Sequence, residues 1–378
     1  MPANIRISPT FRTEVADTAW WTLPTANDSS IDTGLTAWTA MKKMLDEGDY
    51  GGQLWTNPVV STYSLVYTLG TGAYIGGVLA PNGDIHFAPY NAVRGQKIST
   101  TGVVSTYSLV YTTASSHFGG VLAPNGDIHF APYNAVRGQK ISTAGVVSTY
   151  SLPYTVANAY SGGVLASNGE VHFVPYSATR GQKISTAGVV STYSLAYTTS
   201  TAYAGGVLAP NGDIHFVPNT AAVGQKVSAS GVVSTYSLVY TSGLNPYIGG
   251  TLAANGDIYF APYTANRGQK ISTTGVVSTY SLVYTGSSSY VGGVLSPSGD
   301  IHFIPLNSPV GQKVSATGVV STYSLAYTVG SAYYSGVLAP NGDIYLISFS
   351  ATVGQKIQTQ SGVKWSKGVC MSPYFNKF

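Results

Sequence analysis

Hydrophobic and polar positions alternate with period two through most of this chain, in short runs cut by Gly, Pro, Asn and Thr, which predicts strands joined by tight turns. One such stretch reads Gly76–Ala80, then Pro81-Asn82-Gly83, then Asp84–Tyr90. An Asn-Gly pair between two apolar runs signals a hairpin and predicts a turn with both central residues at positive φ. Gly95–Ser99 and Val103–Leu109 follow as third and fourth strands, joined at Thr100-Thr101-Gly102. The phrase Gly-Gly-Val-Leu-Ala-Pro-Asn-Gly-Asp-Ile-His-Phe starts at Gly76 and returns with small edits from Gly119, Gly162, Gly205, Gly249, Gly292 and Ser335. The intervals are 43, 43, 43, 44, 43 and 43 residues. Four short strands per unit, with no helical period inside it, predict an all-β, seven-bladed propeller of four-stranded blades.

The ends of the array predict how the ring closes. Val59–Leu65 is a full copy of the fourth strand but precedes the first complete unit, so it is expected to finish the blade that holds Gly354–Ile357. Gly362–Ser366 is a degenerate competitor for that place. Three regions follow: an N-terminal arm over 1–58, the propeller over 59–360 and a tail over 361–378. In the arm Leu35, Trp38, Met41, Met44 and Leu45 fall at helical spacing, which predicts a short helix near 35–47. Trp20, Trp21, Trp38 and Trp55, with Trp365 in the tail, are candidate docking residues, either packed under the propeller or anchoring a partner subunit.

Composition removes several classes of function. Only 8% of residues are charged, about a third of the usual share, which suits packed β-structure with a hydroxyl-rich surface. The arm carries −3, the array +4 and the tail +3, too dilute for nucleic-acid binding. Cys370 stands alone, so an intrachain disulfide is excluded. The N-terminus lacks the apolar stretch of a signal peptide, and no run reaches the roughly 20 apolar residues of a membrane span. Synthesis in a cytoplasm is the expectation.

The string Gly-Val-Leu-Ala-Pro-Asn-Gly-Asp-Ile-His-Phe, then Gly-Gln-Lys-Ile, then Val-Val-Ser-Thr, resembles NHL- and kelch-type propeller blades. More narrowly, Gly76–Tyr90 is similar to repeats in propeller-like virion proteins of tailed bacteriophages. The resemblance spans about 300 of the 378 residues. It implies a particle-associated structural or adhesive protein, synthesised in the host cytoplasm, and brings no catalytic residues with it.

Several repeated side chains invite chemistry. His86, His129, His172, His215 and His302 share one register of the second strand, with Tyr259 and Tyr345 in the other two blades. Equivalent points on neighbouring blades are about 10 Å apart, too far for ligands that bind zinc within about 2.1 Å, so the rings are expected to pack. The acids from Asp84 to Asp343 follow the first turn and are expected to finish it. The lysines from Lys97 to Lys356 are expected to guard the third strand, with a basic belt for an anionic polysaccharide or lipid headgroup as the alternative.

The loop after the second strand is more specific. Tyr90 goes with Arg94, Tyr133 with Arg137, Tyr176 with Arg180 and Tyr263 with Arg267, and three blades lack both residues. A guanidinium stacked on the ring would explain that coupling, either as a loop staple or as a carbohydrate- or partner-binding pair. Strand direction puts these loops on the same face as the variable connections between blades, where recognition is expected. Hydrolase, metalloprotease and phosphate-loop motifs are absent, and strict repetition works against one asymmetric catalytic constellation. The resulting expectation is a non-enzymatic virion component without cofactors. It would be docked by its flanks to other virion proteins in multiple copies, with its loop face open to a cell-surface glycan. The alternatives are a lectin-like propeller and a propeller-based glycan hydrolase or lyase.

Overall fold

The computed structural model describes residues 58–241 and 243–359. The arm with its expected helix, and all five tryptophans, lie outside the described residues. Twenty-eight strands form seven four-stranded antiparallel sheets, the predicted propeller. In the first blade the order from the axis outward is β2 (Tyr74–Leu79), β3 (Ile85–Pro89), β4 (Arg94–Ile98) and β5 (Val104–Ser108). The seventh blade is β26 (Tyr333–Leu338), β27 (Asp343–Ser348) and β28 (Val353–Gln358), and its outer strand is β1 (Val59–Ser64), paired Val59↔Gln358 to Ser64↔Val353.

The core consists of layers between blades. One cluster joins Tyr74, Ile85, Phe87 and Ile98 of the first blade to Val337, Tyr345 and Ile347 of the seventh, and each neighbouring pair repeats this arrangement. Phe87 and its equivalents are fully buried, and burying one such ring stabilises by about 2–3 kcal/mol. Within a blade, Tyr107 on the outer strand folds back over Gly95, where an added Cβ would lie 2.1 Å from its ring. Its hydroxyl then lies 3.3 Å from His86 Nδ1. The histidine register is therefore a packed aromatic contact, repeated at His129–Tyr150, His172–Tyr193, His215–Tyr236 and His302–Tyr323.

The first turn differs from its expected form. Gly83 has φ +85, while Asn82 does not share the positive φ, and Gly83 N–H donates to the Ala80 carbonyl. The loop is Pro81-Asn82-Gly83, a three-residue turn ending in a left-handed glycine. Proline is the reason: its ring holds φ near −65° and starts a type I turn, which the mirror-image two-residue turn cannot accommodate.

Each third strand carries a buried glutamine, and in six of the seven blades it ties the blade to the chain entering it. Gln139 Oε1 accepts from Val110 N at 3.1 Å and Tyr111 N at 2.7 Å. In the third blade Pro153 stands where Val110 does and has no N–H, and Gln182 Oε1 is left without a partner. Gln139→Leu should therefore cost roughly 2–4 kcal/mol, because two backbone donors lose their acceptor. Gln182→Leu should cost under about 1 kcal/mol, since little hydrogen bonding is lost. Urea unfolding of the two variants side by side checks this, and equal losses would refute it.

Candidate functional site

Each inner strand carries a bulge. In β2 the register passes from Tyr74↔Pro89 to Gly77↔Phe87, leaving Ile75 and Gly76 opposite a single residue. Gly76 takes φ +93, and a Cβ there would sit 2.5 Å from Gly119 Cα of the next blade. Six glycine pairs and Ser335-Gly336 thus let seven backbones meet around a narrow axial cavity of about 200 Å³.

Above that cavity, at the end where the blade-connecting loops gather, the bulge register comes next on each inner strand. Its occupants are Ile75, Phe118, Ser161, Ala204, Ile248, Val291 and Tyr334. The rings of Phe118 and Tyr334 meet edge to face at 5.4 Å although a whole blade lies between their strands, so this register reaches the axis. The residue after the second strand forms a further ring. Phe349, Tyr90, Tyr133 and Tyr176 follow one another at centroid distances of 6.1, 5.9 and 5.8 Å. Asn219, Tyr263 and Leu306 hold the same position in the remaining blades. This end of the axis is lopsided, with large aromatics on one side and Ser161, Ala204 and Asn219 on the other.

The phenols converge. Tyr334 is pushed well above the usual tyrosine range by burial and then by Tyr263, Tyr176, Tyr133 and Tyr90 around it. Tyr133 is raised by burial and by Tyr176 and Tyr90, and Tyr176 by burial and by Tyr263 and Tyr90. At neutral pH these groups are hydrogen-bond donors rather than phenolates. Two buried atoms beside them lack partners among the described residues, Ser161 Oγ and Asn219 Oδ1, although Asn219 Nδ2 donates to the Tyr247 carbonyl at 3.2 Å.

The loops around this mouth are held firmly. Ser115 N–H donates to Asn91 Oδ1 at 2.8 Å, Asn158 N–H to Asn134 Oδ1 at 2.6 Å and Ser331 N–H to Asn307 Oδ1 at 2.6 Å, each across a blade boundary. The residues so clamped adopt left-handed φ of +50 to +56.

The structure parts each expected tyrosine from its arginine. Tyr90, Tyr133, Tyr176 and Tyr263 gather at the axial mouth, partly buried, whereas Arg94, Arg137, Arg180 and Arg267 begin the third strands and are exposed. Among the described residues the cation–ring contacts are Lys270 over Tyr259 and Lys356 over Tyr345, so no guanidinium staple is present there. Their co-occurrence instead places a cation farther out on blades whose axial residue is a phenol.

The opposite face holds what the sequence treated as two separate rings. Lys97 Nζ lies 2.7 Å from Asp84 Oδ2, and every blade repeats the pair at 2.6–2.8 Å, with Glu170 serving Lys183. All seven carboxylates of the array are engaged in this way. Asp127 is held below the usual range by Lys140 against the opposing effect of burial. The lysines are therefore neutralised partners and form no free basic belt.

No protein-family model and no curated protein matches the chain. Among solved structures, virginiamycin B lyase from Staphylococcus aureus overlaps with a TM-score of 0.70 at 17% identity, over 80% of this chain and 99% of that one. A streptogramin B lyase gives 0.70 at 18% identity, over 81% and 99%. The extracellular domain of a hybrid two-component system from B. thetaiotaomicron gives 0.60 at 10% identity, over 79% and 42%. At these identities the shared property is the fold. The likenesses run against the expectation of a non-enzymatic virion component, since two of these proteins are lyases built on the same fold. Repetition does not by itself oppose catalysis, because a symmetric scaffold leaves its loops and axial side chains free to differ, as they do here. The described residues form a seven-bladed β-propeller with an asymmetric, aromatic mouth at its axis.

Proposed function

We propose that this chain is a propeller lyase that cleaves its substrate by β-elimination at the tyrosine-lined mouth. The observation carrying this reading is the convergence of Tyr90, Tyr133, Tyr176, Tyr263 and Tyr334 on a face without a carboxylate among the described residues. Glycoside hydrolysis ordinarily needs two carboxyl groups about 5–10 Å apart across the scissile bond. Every carboxylate of the array is instead held by a lysine on the other face. Elimination asks less of the site. A base removes the proton beside a carbonyl, the C–H electron pair becomes a double bond, the β C–O bond breaks, and the departing oxygen takes a proton. Neutral phenols suit the last role and can hydrogen-bond the developing enolate oxygen. A tyrosine of the mouth would accept the proton beside the carbonyl only once ionised, which confines turnover to alkaline pH because burial holds Tyr133, Tyr176 and Tyr334 protonated at neutral pH. The fold shared with virginiamycin B lyase, of which one solved structure is a catalytically inactive variant with quinupristin, supports the reading.

Turnover of a panel of uronate glycans and quinupristin, followed by mass spectrometry, tests it. Elimination gives products whose masses sum to the substrate, whereas hydrolysis adds one water. The rate should rise with pH as phenolate forms, and Tyr133→Phe should lower it roughly 10²–10⁴-fold. Products carrying added water, or no turnover of any member, would overturn the proposal.

A further inference from the structure

We infer that this mouth takes an anionic, polyhydroxylated substrate, a uronate-containing glycan, an inference that rests on the elimination reading for its chemistry but on separate observations for its charge. The array carries eleven basic and seven acidic side chains. On the turn face seven lysines cancel seven carboxylates at 2.6–2.8 Å. The four remaining cations, Arg94, Arg137, Arg180 and Arg267, are exposed at the start of their strands on the loop face. The described part of the disc is thus polarised, neutral on one side and +4 on the other, and the positive side is the one with the aromatic mouth.

Charge alone would admit any anion; the mouth narrows the class. The Tyr90–Tyr133–Tyr176 arc offers ring faces and donor hydroxyls, which suit a flat sugar ring edged with oxygens. A uronate also meets the demands of elimination. Its carboxylate sits on the carbon bearing the proton to be lost, and its glycosidic oxygen leaves from the next carbon. An arginine neutralising that carboxylate makes the proton more acidic.

Binding of polygalacturonate, alginate and hyaluronate, each against its carboxyl-reduced form, tests the inference separately from turnover. At least one uronate polymer should bind, with affinity falling as salt rises, and its reduced form should bind at least about tenfold more weakly. Arg137→Gln combined with Arg180→Gln, surface changes that leave the core intact, should weaken binding by a similar factor. Equal binding of reduced and native polymers, an unchanged affinity in the double variant, or no binding of any of the three would overturn the inference. Salt-sensitive uronate binding without an unsaturated product would uphold it and refute the lyase reading instead.

Discussion

Taking this protein from pH 7 to pH 4 should cost it most of its folding stability, with the steepest loss between about pH 6.5 and 4. His86, His129, His172, His215 and His302 are lowered to about 4 by burial, reinforced in most blades by the neighbouring lysine. In the unfolded chain the same rings titrate near 6.5. Between those values the unfolded state binds protons that the folded state refuses, so stability is fully present above about 6.5 and is lost as pH falls toward the folded value. Each ring contributes up to about 3 kcal/mol at pH 4, and five together reach on the order of ten, comparable to the whole stability of a typical domain. Asp127, Glu170 and Asp213 are held below their usual range and act in the same direction at the acid end. Melting temperature measured from pH 7.5 to 4.5 checks this, and a flat profile between 7 and 5 would refute it. His302→Tyr, which installs the residue found at Tyr259 and Tyr345, should reduce the proton uptake on unfolding by about one.

Gly76→Ala should cost about 3–5 kcal/mol, and Gly292→Ala at the same register only about 1–2. Both glycines have left-handed φ, +93 and +70, so each alanine meets a backbone penalty of about 1–2 kcal/mol. Only Gly76 also faces a neighbouring backbone, with Gly119 Cα 2.5 Å from the added Cβ, while Gly292 has nothing within 4 Å. Backbone cannot rotate away as a side chain can, and overpacking adds about 1–3 kcal/mol. Denaturant midpoints of the two variants isolate the steric part, and indistinguishable losses would show that the blades can separate at the axis.

Much of this architecture was legible because a repeated strand pattern leaves few ways to bury seven identical faces. Gly76, Gly119 and their equivalents pointed to crowding at an axis, and the histidine register pointed to packing. The turn at Pro81-Asn82-Gly83 was misread because the Asn-Gly signal was weighed without the proline before it. Lys97 and Asp84 were taken separately although their strands are hairpin neighbours, with His86 opposite Lys97 in the ladder. That register was available from the turn length alone. The aromatic mouth was harder to see. Tyr90 and Arg94 are close in sequence, but the second strand ends near the axis and the third begins farther out, so radial position separates them. Contacts such as Phe118 with Tyr334 arise only once the ring has closed. Ser161 and Asn219 gave no signal beyond breaking the repeat.

That closure also imposes an order on the chain's birth. Strand β1 leaves the ribosome first but has to wait for β28, nearly 300 residues later, an interval of roughly 15–60 s at ordinary elongation rates of about 5–20 residues per second. During that wait its sequence, Val-Val-Ser-Thr-Tyr-Ser, is the same as that of Val103–Ser108, so β4 is an available wrong partner as soon as it emerges. A ring that starts with β1 on β4 is out of phase by one blade and must unzip before it can close. Near-identity of the blades, which makes the finished disc so regular, therefore makes its assembly the step most exposed to error, and the strand at the seam is where a chaperone would have most to prevent.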